Sequence, residues 1–176
     1  MSKKKKKKKE GYNHSFAISH AKSLQCLARE LRETSLFNES KSDADLFQGK
    51  VVGIPILFGL ATEVALKALL YQETNEVPPY IHDLLKLFNG LKEETQTELE
   101  AAFKELGRNT QARLMAEFPR PSSTIRYVLY EHREVFLLWR YPFKSVPSCY
   151  PQALDEVIST IIKIYDERAL ASYLSM

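Results

Sequence analysis

The sequence predicts an all-α fold, an up-and-down helical bundle of five or six helices. Apolar residues recur at three- and four-residue spacing through several long segments. No stretch alternates convincingly with period two, so no sheet is predicted. Short clusters of Gly, Pro and polar residues punctuate these segments, as in a bundle with short loops. A chain of 176 residues suits one domain, or one domain with a tail.

The chain opens with an unbroken run, Lys3 to Lys9. We read residues 1–12 as a disordered, Lys-rich tail and 13–176 as a single helical domain. No apolar stretch follows the lysines, so they do not begin an export signal. The first helix is expected from about Ser15 to Glu33, with Ala17, Ala21, Leu24, Leu27, Ala28 and Leu31 at helical spacing. Asn38 to Asp43 is polar and reads as a loop.

The second helix is the most apolar part of the chain, from Val51 through Leu70. Its length approaches that of a membrane span. Glu63, Lys67, two glycines and Pro55 argue instead for a core helix, with Pro55 in its first turn or at a kink. Glu63 and Lys67 are four apart in the favourable order and read as a surface ion pair.

Val77-Pro78-Pro79 ends the hairpin made by the first two helices. A short third helix begins within Tyr80 to Phe88 and closes at Asn89-Gly90. A fourth runs from Thr95 to Leu106, ended by Gly107. Pro119 to Ser123 breaks the chain before a fifth, Thr124 to about Tyr141. Pro142, Pro147 and Pro151 suggest an extended connection. The last helix, Pro151 to about Leu170, turns Ala153, Leu154, Val157, Ile158, Ile161, Ile162 and Tyr165 inward.

Charge and cysteine content narrow the function classes. The formal charge of +3 comes from 25 basic and 22 acidic residues. Without the lysine run the body has 18 basic residues against 22 acidic ones, a net of −4. Global charge therefore gives no case for a nucleic-acid-binding body. Two cysteines cannot make a disulfide scaffold. A cytoplasmic protein is the default expectation. Gly-rich phosphate loops, HExxH, CxxC and GxSxG motifs are absent, and the four histidines show no metal-ligand spacing. Neither a metal nor a cofactor is expected.

The segment that stands out as a candidate for chemistry is Thr124 to Phe143. Its helical stripe of Ile125, Val128, Leu129, His132, Val135, Phe136 and Trp139 lies beside a second stripe, Arg126, Arg133 and Arg140. An imidazole among apolar residues and arginines is held neutral, as a general base must be. Arginines can clamp a phosphate and stabilise developing charge. The other reading is a core histidine satisfied by a tyrosine or a backbone carbonyl.

Three pieces in order, Glu63 to Leu70, His82 to Leu87 and Phe136 to Tyr141, resemble the HEPN domain family. The resemblance spans about Ser15 to Asp166. It implies an all-α bundle, usually a homodimer, of the kind found in toxin–antitoxin, phage-defence and RNA-processing systems. It further implies metal-independent ribonuclease activity, with Arg126 and His132 as the catalytic pair and Arg133, Arg140 and Tyr141 as RNA or ligand contacts. An antitoxin or a nucleotidyltransferase would be the implied partner. The alternative is a non-catalytic HEPN-like module that binds a nucleotide, RNA or a protein. Six residues apart on an unbroken helix, Arg126 and His132 point about 240° apart; convergence needs a frayed helix start or a second copy. His82-Asp83 recurs in the family's third helix, and Asp83 also suits a helix cap.

Overall fold

The computed structural model describes residues 12–37, 44–117, 124–138 and 149–175, with the side chains of 35–37, 44–48, 107–117, 136 and 137 excepted. The lysine run, Arg140, Tyr141 and the Pro142–Pro147 connection lie outside the described residues. Those residues form seven helices and no strand: α1 (His14–Phe37), α2 (Ala44–Thr74), α3 (Leu84–Asn89), α4 (Glu93–Glu117), α5 (Ile125–Glu131), the single turn α6 (Val135–Leu138) and α7 (Pro151–Leu174). Tyr12, assigned to the tail by sequence, instead rests its ring 5.2 Å from that of Tyr71.

The bundle is organised around α2, which touches α1, α3, α6 and α7. Small side chains allow α1 to approach it closely: Ala17, Ala21 and Ala28 on one side, Ala61, Ala65 and Ala68 on the other, all buried. Phe58, Leu66 and Leu69 of α2 then meet a core that includes Phe88, Leu99, Phe103, Leu129, Leu154 and Ile158. Truncating any of these leucines would cost roughly 2–5 kcal/mol, through lost transfer energy and the cavity left behind. Over half of the apolar window in α2 is buried inside the bundle, as a core helix requires.

Several expected boundaries move. Pro55 lies well inside α2, because the helix begins at Ala44 and not near Val51. Its missing N–H leaves the Val51 carbonyl without an intrahelical donor, and Val51 is half-exposed, near water. Gly107 does not end α4, which continues to Glu117. Leu27, placed on the inward face by spacing, is exposed. Helix α3 starts at Leu84, with a tight turn before it in which the Ile81 N–H donates to the Pro79 carbonyl, and Asp83 is its N-cap, Oδ1 accepting from the Lys86 N–H at 2.9 Å. A Cβ on Gly90, its C-cap, would stand 3.3 Å from the Leu87 carbonyl and 3.5 Å from Leu70 of α2.

Candidate functional site

The expected fifth helix is two pieces. Helix α5 stops at Glu131, His132 to Glu134 form a turn, and α6 restarts at Val135. Both ends of α5 are held by side chains. At its start, Thr124 Oγ1 accepts from the Tyr127 N–H at 3.1 Å. The Glu100 carboxylate of α4 takes the Ile125 and Arg126 N–H groups at 2.9 and 3.0 Å. These contacts satisfy donors that a helix start leaves open.

Arg126 joins the same junction. Its guanidinium donates to Asn89 Oδ1 at 2.6 Å and to Gln96 Oε1 at 2.7 Å, and lies 5.4 Å over the Phe88 ring. The side chain thereby ties α5 to the end of α3 and the start of α4.

His132 closes the other end and is 1% exposed. Nδ1 lies 2.7 Å from the Val128 carbonyl, and Nε2 lies 2.8 Å from the Tyr150 N–H. A carbonyl only accepts and an amide N–H only donates, so the ring is the neutral tautomer with its proton on Nδ1. Burial lowers its pKa below the ordinary 6.5, and the Val128 hydrogen bond opposes that shift. The ring also meets Tyr150 edge-on, centroids 5.8 Å apart. Tyr150 is the N-cap of α7, with Pro151 in the first turn. His132 is therefore the joint between the end of α5 and the start of α7. It shares no hydrogen-bond partner with Arg126.

The turn also braces α3. The Arg133 carbonyl accepts the Leu84 N–H at 2.9 Å. The exposed Arg133 guanidinium lies 4.7 Å over its neighbour Tyr130.

Next to Leu84, His82 reaches a group that spacing read as a surface pair. Glu63 is buried, at 4% exposure. Lys67 Nζ is 2.7 Å from its Oε1, and His82 Nδ1 is 3.0 Å from its Oε2. Tyr80, almost fully exposed, lies at the edge of this cluster, 5.9 Å from Lys67 Nζ and edge-on to His82. Thus the pieces Glu63 to Leu70, His82 to Leu87 and the turn at His132 meet in space. A second cluster was missed entirely. Buried Asp155 of α7 receives Gln25 at 2.7 Å, Arg29 at 2.7 Å and Arg32 at 3.3 Å from α1. A polar residue on the apolar face of α7 was the available signal.

A family model described as HEPN domain matches residues 59–166. That is more than half the chain, and the chain belongs to the HEPN domain family. The match begins inside α2 and ends near the last buried turn of α7, so it covers every element around the Glu63 and His132 clusters. HEPN domains often form dimers. No curated protein matches the chain, and no solved structure does.

Proposed function

We propose that this chain is a non-catalytic HEPN-type binding module, in which Arg126 and His132 hold the helices together and do not cleave RNA. The observation that carries this reading is that backbone groups occupy both ring nitrogens of His132. A general base needs a nitrogen within hydrogen-bond reach of its substrate. At His132 that would require breaking the junction to Tyr150. Arg126 supports the reading too, since two amide oxygens already take its guanidinium. The homodimer remains the assembly we propose, with a small ligand, RNA or a protein as its partner.

The test is incubation of the full chain with structured and single-stranded RNA in EDTA, beside Arg126→Ala. That variant removes contacts to Asn89 and Gln96 at the surface, and circular dichroism establishes that it still folds. Intact RNA with both proteins is the expected result. Cleavage by the wild type that disappears in a folded Arg126→Ala protein would overturn the reading.

A further inference from the structure

The end of the bundle where α1 begins and α7 finishes carries features that the His132 junction does not use. His14 Nδ1 of α1 lies 2.6 Å from the Tyr165 hydroxyl of α7. His14, Ser15, Asn75 and Ser172 line one cleft. The first turn of α1, the last turns of α7 and the chain leaving α2 therefore lie together.

Helix α7 runs on for two turns beyond its last buried residue, Tyr165, and from Ala169 to Ser175 every residue is exposed. Leu170, Tyr173 and Leu174 stand three and four apart, on one face, and are 58%, 76% and 75% exposed. Phe16, in the first turn of α1, and Val77, just after α2, are largely exposed too. Single exposed apolar side chains are ordinary. Five large ones at one end of a bundle make a contact surface.

The lysine run leaves from the same end. Tyr12 rests on Tyr71, and Lys9 precedes it by three residues, at most about 10 Å of chain. The acidic side chains beside α7 are already paired. Asp166 holds Lys22 at 2.8 Å, Glu167 lies 3.9 Å from Lys163, and Glu73 and Glu98 take Arg168. Glu10 and Glu76 do not offset seven lysines.

We infer that this end of the bundle docks on an anionic lipid surface. Lys3 to Lys9 meet the headgroups, and Leu170, Tyr173 and Leu174 enter the boundary between headgroups and acyl chains. A polybasic segment is drawn to anionic lipid but is screened by salt, and stable attachment takes a second, apolar signal. The exposed turns of α7 supply it. A tyrosine suits that boundary, with an apolar ring and a hydroxyl that stays among the headgroups. RNA fits the surface less well, because leucines offer it neither a hydrogen bond nor a planar face for stacking. The inference is independent of the binding-module reading.

Cosedimentation of the full chain with phosphatidylcholine vesicles, with and without about one-third phosphatidylserine, tests it. Two variants accompany the wild type: Leu170→Ser with Leu174→Ser, and Lys3 to Lys9 all changed to Ser. Both alter exposed or tail positions, and thermal melts followed by circular dichroism establish that they fold. The wild type should sediment with the anionic vesicles and not with phosphatidylcholine alone. Each variant should weaken that binding by roughly tenfold or more, and salt at about 0.5 M should weaken it as well. Absence of binding to the anionic vesicles, or equal binding to both kinds, would overturn the inference. Binding that the leucine variant leaves unchanged would also overturn it, since the lysines would then act alone. So would an oligomer that the leucine variant dissociates, which would make this face a contact between copies. An RNA oligonucleotide that binds the wild type while the anionic vesicles do not would assign the run to nucleic acid instead.

Discussion

His132 Nε2 accepts the backbone N–H of Tyr150 at 2.8 Å, joining the turn after α5 to the residue that caps α7. The same ring donates from Nδ1 to Val128. Replacing His132 with Ala removes both bonds, strands the Tyr150 N–H and leaves a cavity. We predict a loss of about 2–4 kcal/mol in urea unfolding.

Protonation acts in the same direction. A second N–H at Nε2 would face the Tyr150 donor, and burial already holds the folded pKa of His132 below 6.5. The unfolded chain then takes up the proton first. His132's contribution is complete above about pH 6.5 and falls as pH drops from there toward the folded pKa. Unfolding free energy measured from pH 8 to pH 5 should decline in the wild type and decline less steeply in His132→Ala.

Glu63 is predicted to be the more sensitive half of its cluster. Glu63→Ala leaves Lys67 and His82 without their shared carboxylate and should cost about 3 kcal/mol or more. His82→Ala leaves Glu63 paired with Lys67 and should cost less. A double-mutant cycle between Glu63 and His82 should give a coupling above about 0.5 kcal/mol. Strict additivity would mean that the two do not interact in solution.

The cysteines should separate cleanly. Burial pushes the Cys149 thiol up to about 12, whereas Cys26 is exposed. At pH 8 only about one Cys149 in ten thousand is thiolate. Iodoacetamide should modify one cysteine of the native protein, Cys26, and both after denaturation. Mass spectrometry of the labelled peptides checks this.

The helices of this fold were legible because α2 and α7 carry long apolar patterns that only a bundle core satisfies. The break at His132 was not legible. Tyr130-Glu131-His132-Arg133-Glu134-Val135 contains no Gly or Pro, and every residue is compatible with a helix. What ends α5 is tertiary: Tyr150 takes the His132 ring, and Leu84 takes the Arg133 carbonyl. Glu63 misled for a related reason. Its i,i+4 partner Lys67 is visible in the sequence, but the second contact that encloses the carboxylate, from His82 nineteen residues away, is not. The core-histidine reading of His132 anticipated its carbonyl partner but not the amide of Tyr150.

The most direct measurement is long-range ¹H–¹⁵N NMR of the His132 ring in the full chain, from pH 8 to pH 6, with and without an RNA oligonucleotide. The predicted result is a ring with its proton on Nδ1 at pH 8, a titration midpoint below 6.5, and no shift when RNA is added. A ring that titrates at or above 6.5 and moves on RNA binding would contradict it and return His132 to a catalytic role.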